Sequence, residues 1–217
     1  MRKVRVKICG ITREKDLAIA VAAGADAVGF IVGVTSSPRN LTLKNAEKLI
    51  KQVPVFVDSV AVTVTNNISL LTKICEKLKP DVFQFHGENL PEVSIIREKI
   101  RDACLIKTVY MKTGGVIKAA MEASDFFDAV LLDSFVHGKS GGTGMAHNWE
   151  LSRQVKQTIE PTPLILAGGL IPENVKDAIR TVQPYAVDVA SGVELRPRVK
   201  DSKKVFEFIK NAKEVEL

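Results

Sequence analysis

Eight times along its length the chain passes from a short run of β-branched and apolar residues into a stretch with helical spacing. This repetition limits its possible folds more than any other feature. The runs are Val4–Cys9, Ala27–Val32, Val55–Ala61, Val82–His86, Leu105–Tyr110, Ala129–Asp133, Leu164–Ala167 and Ala186–Ala190. Continuous apolar runs of this length suit parallel strands covered on both faces. The segments between them carry helix ends. Thr12 is placed to cap a helix with Leu17, Ala20 and Val21 on one face and Gly24 at its end. Pro172 suits a first helical position ahead of Val175, Ala178 and Ile179, and Val205, Phe208, Ile209 and Ala212 form the stripe of a final helix.

Eight strands alternating with helices at a spacing of about 25 residues predict an α/β chain, a compact single-domain (β/α)8 TIM barrel over residues 1–217. The competing open doubly wound sheet calls for a glycine-rich fingerprint after the first strand, where only Gly10 stands. With 46% hydrophobic and 26% charged residues the chain is expected to be globular rather than disordered. No apolar run reaches the length of a membrane span, and the opening MRKVRVKICG lacks the apolar block of a signal peptide, so a cytoplasmic location is expected. Cys9, Cys75 and Cys104 are odd in number and widely spaced, which argues against both a disulfide framework and a zinc site. The net charge of +6 is dispersed among acids, without the basic stripe of a nucleic-acid binder, and fits a small anionic substrate better.

In a barrel of this type chemistry gathers where the strands end. The last two ends, Gly168-Gly169 and Ser191-Gly192, expose main-chain N–H groups suited to a phosphate, although each glycine pair alone also satisfies a tight turn. Along the first strand alternation places Arg5, Lys7 and Cys9 on one face and Val4, Val6 and Ile8 on the other. If the apolar trio faces the helices, Lys7 points inward below the thiol and favours its thiolate, with Asp188 on the neighbouring eighth strand as counter-charge; a surface position for Lys7 is the alternative. Asp133 ends an apolar strand and either caps the next loop or, raised by apolar walls, donates a proton near neutral pH. Arg39 either offers a fork for a carboxylate or stands as solvated surface, and His86 either orients substrate or bonds locally. His137 and His147 lack ligand spacing, so no metal is expected. The glycine-rich stretch Phe135–Asn148 is too long for a bare connection and reads as a mobile lid or a surface excursion.

These residues resemble the phosphoribosylanthranilate isomerases of tryptophan biosynthesis. The likeness runs through KICGIT (7–12), SPR (37–39), QFHG (84–87), LLDS (131–134), GGTG (141–144), LAGGLIPENV (166–175) and DVASGVE (188–194), in family order over nearly the whole chain. The sequence departs from the family pattern after GGTG, where Met145–Trp149 replace the usual lysine and Phe-Asp-Trp. The resemblance implies an Amadori rearrangement of N-(5-phosphoribosyl)anthranilate, with Cys9 as base and Asp133 as acid. It also implies Arg39 on the carboxylate, and Gly168, Gly169, Ser191 and Gly192 on the phosphate. No cofactor or metal is implied, and the expected partner is a small phosphorylated molecule, bound by a monomer or homodimer. Two alternatives are indole-glycerol-phosphate synthase, for which Lys107 is the sole recruitable strand-end lysine, and a silent phosphometabolite-binding barrel, which needs neither Cys9 nor Asp133.

Overall fold

The computed structural model describes residues 3–87, 90–111, 114–136, 139–140 and 148–217. In chain order they form β1 (Arg5–Ile8), α1 (Glu14–Ala22), β2 (Ala27–Ile31), α2 (Leu43–Ile50), β3 (Asp58–Thr63), α3 (Ile68–Leu78), β4 (Val82–Phe85) and α4 (Val93–Lys99). There follow β5 (Cys104–Met111), α5 (Val116–Ser124), β6 (Ala129–Val136), β7 (Lys139–Ser140), α6 (Trp149–Ile159), β8 (Leu164–Leu166) and α7 (Val175–Val182). The chain closes with β9 (Ala186–Val189), a 3-10 turn (Ser191–Val193), β10 (Glu194–Arg196), β11 (Val199–Lys200) and α8 (Ser202–Lys213).

Eight of these strands pair in parallel, in the order β5-β4-β3-β2-β1-β9-β8-β6, and the pairing of β5 with β6 closes the barrel. Closure makes the first and last barrel strands neighbours, with Lys7 opposite Asp188 and Ile8 opposite Val189. The two short additions are antiparallel: β7 folds back on the end of β6, and β10 pairs with β11.

Alternation sorts the side chains as the barrel requires. Val4, Val6 and Ile8 join Phe30, Phe83, Phe85 and Phe208 in the layer between strands and helices. Each of those fully buried aromatic rings contributes roughly 1.5–3 kcal/mol by leaving water. The lower interior is apolar, with Ile106, Leu131 and Ile165 among its members. At the opposite end from the site, three aspartates just before β2, β4 and β6 satisfy open main-chain donors. Asp26 accepts from Val6 N, Asp81 from Ser59 N and Asp128 from Leu105 N, at 2.8, 2.8 and 2.7 Å.

Three boundaries differ from the sequence expectation. The third strand starts at Asp58 rather than Val55, because Val55 and Phe56 lie 81% and 97% exposed and Phe56 takes a positive φ of 70° that breaks an extended run. Thr12 does not cap α1: its hydroxyl donates to Arg198 O at 3.0 Å, and Arg13 occupies the cap position. Pro172 lies in a turn before α7, whose first residue is Val175. Of the Phe135–Asn148 stretch, Phe135 and Val136 extend β6 and Lys139–Ser140 return as β7, while residues 137–138 and 141–147, including both histidines and GGTG, lie outside the described residues.

Candidate active site

Cys9, Lys7, Asp188 and Asp133 come together at the carboxyl end of the barrel. Lys7 points inward, and its Nζ donates to Asp188 Oδ1 at 3.0 Å, with the two side chains only 5% and 9% exposed. The surface alternative for Lys7 is thereby ruled out. A buried ion pair of this kind is costly to desolvate and very costly to break on one side only. Cys9 is the next inward residue, directly after β1, 5% exposed, with its own N–H bonded to Val189 O at 2.8 Å.

Gly29 on β2 makes room for both. A β-carbon there would sit 2.8 Å from Cys9 Sγ, which would force a shift, and 3.1 Å from Lys7 Cε, a tight contact. Gly10 answers a different demand: it holds φ at 76°, and a β-carbon would meet Arg39 Cδ at 2.5 Å. Arg39 therefore lies across the residue that follows the thiol.

Electrostatics separate the thiol from the carboxyl, although not as the sequence predicts for the thiol. Burial pushes the Cys9 thiol above its ordinary value; the charges of Lys7 and Lys200 pull it back and Asp188 opposes them, but burial wins. The expected thiolate is thus the minority form. Asp133 does behave as anticipated. Burial, and then the neighbouring Asp188, push its carboxyl up to about 7, against the Ser134 main-chain N–H, which donates to Oδ1 at 2.8 Å, and against Lys7. The Lys7–Asp188 pair therefore acts on both Cys9 and Asp133.

The phosphate candidates are packed into the same end. Gly168 and Gly169 both take positive φ, 79° and 68°. A β-carbon on Gly168 would stand 2.3 Å from Ser134 Oγ and 3.0 Å from Asp133 Oδ1, so this loop is seated against the acid. A β-carbon on Gly192 would meet Leu170 O at 2.0 Å, which brings the Ser191-Gly192 turn against the Gly168–Leu170 loop. Asn174 secures that loop by donating to Gly169 O and accepting from Ile171 N, at 3.0 and 2.9 Å.

The family model for N-(5'-phosphoribosyl)anthranilate isomerase matches residues 6–211, which include every one of these positions. The chain belongs to this family. The N-(5'-phosphoribosyl)anthranilate isomerase 1 of Methanosarcina mazei is 44% identical, the match covering 97% of this chain and 95% of that one. The crystal structure of phosphoribosyl anthranilate isomerase from Thermotoga maritima superimposes with a TM-score of 0.86 at 34% identity, over 98% of this chain and all of that one. A phosphoribosyl anthranilate isomerase in complex with reduced 1-(o-carboxyphenylamino)-1-deoxyribulose 5-phosphate gives a TM-score of 0.83, also at 34% identity, over 98% and 100% of the two chains. The chain is thus an isomerase of tryptophan biosynthesis built on a TIM barrel.

Other residues of this phosphoribosylanthranilate isomerase find places that sequence reasoning left open or missed. His86 is engaged locally. His86 Nε2 lies 2.6 Å from the Gln84 side-chain amide and Nδ1 lies 3.2 Å from the Tyr110 hydroxyl, which donates to His86 O at 3.0 Å. Burial, followed by the charges of Lys7 and Lys107, pulls the imidazole down to about 3, which keeps it neutral. Lys107 shares the helix-facing side of β5 with Leu105 and Val109 and donates to Gly87 O. It therefore lies off the barrel mouth, where the synthase alternative requires it. Glu194 and Lys200 were missed: they pair across β10 and β11, far in sequence from Arg39, whose fork Glu194 holds. Among the described residues, no three His, Cys, Asp or Glu side chains are placed to hold a metal ion, and no helix is long and apolar enough to cross a membrane.

Proposed function

We propose that Asp133 and Cys9 carry the two proton transfers of the Amadori rearrangement. The buried Asp133 carboxyl gives its proton to the furanose ring oxygen of N-(5-phosphoribosyl)anthranilate. The C1–O bond breaks as the anilino nitrogen lone pair forms a C1=N iminium. The Cys9 thiolate then removes the proton from C2, and those electrons neutralise the iminium to give an enolamine, which tautomerises to 1-(2-carboxyphenylamino)-1-deoxyribulose 5-phosphate. The substrate nitrogen is itself the electron sink. The cationic iminium adds positive charge beside the sulfur, offsetting the burial that disfavours the thiolate.

Arg39 takes the anthranilate carboxylate, and the main-chain N–H groups of Gly168, Gly169, Ser191 and Gly192 take the phosphate. Asp188 serves by holding Lys7, and His86 lines the site as a neutral group. We read the 217 residues as one catalytic domain acting in the cytoplasm as a monomer or homodimer, without a nucleic-acid, membrane or cofactor requirement. The Thermotoga maritima relative is described as dimeric, with monomers generated from it.

The observation that carries this reading is Asp133: a buried carboxyl raised to about 7, within electrostatic reach of the ion pair that also acts on the Cys9 thiol. The test follows the disappearance of phosphoribosylanthranilate fluorescence in Cys9→Ala and Asp133→Asn. Each substitution should lower kcat by on the order of 10²- to 10⁴-fold with the fold retained. Near-normal turnover in either would remove that residue from its role.

A further inference from the structure

Three charged side chains from separate segments meet at the rim beside Cys9, and the scheme above uses one of them. Arg39, from the connection between β2 and α2, donates through Nε and Nη2 to the two carboxylate oxygens of Glu194, at 2.8 and 2.6 Å. Glu194 stands at the start of β10, directly after the turn that carries Ser191 and Gly192, and pairs in register with Lys200. Lys200 Nζ lies 3.3 Å from Glu194 Oε1 and donates to Ala190 O at 2.8 Å. Exposure falls along the chain of contacts: the side chains of Arg39, Glu194 and Lys200 are 15%, 5% and 0% exposed.

The contact uses one edge of the guanidinium. Nη1 has no hydrogen-bond partner among the described residues, so the other edge remains available. A planar fork fixed along one edge is an oriented donor for a second carboxylate, whereas an arginine free to turn loses rotamer entropy on binding. Charge balance matters equally. Arg39 and Glu194 alone would form a neutral pair with little attraction for an anion; Lys200, whose ammonium burial pulls down and Glu194 holds up, adds a cation to the cluster while lying too deep to be contacted itself.

We propose that Glu194 is a positioning residue that orients Arg39 toward the carboxylate of the substrate, with Lys200 keeping the cluster cationic. This rests on the reading of Arg39 as the carboxylate-binding residue. Glu194 thereby ties the aromatic end of the substrate site to the phosphate turn three residues before it.

The test measures kcat/KM for phosphoribosylanthranilate and for phosphoribosylaniline, the same molecule without the carboxylate, and takes their ratio. Glu194→Ala should lower that ratio by on the order of 10- to 100-fold, mainly through KM for the carboxylated substrate, as expected for losing hydrogen bonds to a charged group. Lys200→Met should lower it in the same direction, and Glu194→Gln, which keeps an acceptor and the volume, should lower it less. Glu194→Gln decides the matter if Glu194→Ala does not fold, since an unchanged ratio there overturns the proposal. Equal losses on both substrates in the Glu194 variants also overturn it, because they mark a merely structural role. Arg39→Ala is the control. If it leaves the ratio unchanged, the carboxylate reading of Arg39 has failed; if it collapses the ratio and the Glu194 variants do not, the positioning role alone has failed.

Discussion

Asp133→Asn should yield a protein that is more stable than the parent at alkaline pH and nearly inactive. The folded chain holds the Asp133 carboxyl at about 7, against an ordinary value of 3.8, so the folded state binds this proton more tightly than the unfolded state. Below the ordinary value both states are protonated and the residue carries no penalty. As pH rises from there through 7, stability drains away, reaching about 4 kcal/mol once both states are ionised. Asparagine cannot ionise, yet its amide oxygen still accepts the Ser134 N–H that Asp133 Oδ1 accepts at 2.8 Å. Urea unfolding of both proteins at about pH 4, 6 and 8.5 should therefore give a stability difference that starts near zero and grows in favour of the variant. A difference that stays constant across this range would refute the claim that burial holds a neutral acid here.

Three further outcomes follow from the same geometry. If the productive form pairs a protonated Asp133 with a minority Cys9 thiolate, the kcat/KM profile of the parent should rise to about pH 7, hold until the thiol ionises and fall beyond that; activity that already falls as pH rises through 7 would mean that the thiol titrates below the carboxyl. Lys7→Met should cost about 3–5 kcal/mol in urea unfolding by leaving Asp188 buried without its partner, and much of that loss should return in the double variant Lys7→Met/Asp188→Leu. Gly168→Ala should lower kcat as well as raise KM, because its β-carbon drives into Ser134 beside the acid; an effect on KM alone would separate the phosphate loop from the proton donor.

The barrel and much of its site were legible because they rest on local periodicity. Two-residue alternation along β1 was sufficient to turn Lys7 and Cys9 inward, and barrel closure then supplied Asp188 as a neighbour in register. Legibility failed where long-range packing decided. Apolar Val55 and Phe56 look like strand, yet the positive φ at Phe56 excludes them from β3. The cation beneath Cys9 was visible, but the burial that outweighs it depends on the full set of walls around the sulfur. Glu194 closes DVASGVE with no local signal of a role, because its partner Arg39 lies 155 positions away. The recurrent aspartates before β2, β4 and β6 did carry a signal, in ADAV, PDVF and FDAV, which a search for repeated short words at strand starts would find.

Gly29 has a consequence for anyone redesigning this barrel. The Cys9 sulfur occupies a socket carved from an adjacent strand, where an added methyl would come within 2.8 Å of it. A side chain added on that wall would press first on Cys9 and Lys7, the two residues for which the glycine leaves room. Useful variation therefore belongs to the connecting segments above the rim, leaving the second strand as an untouched floor.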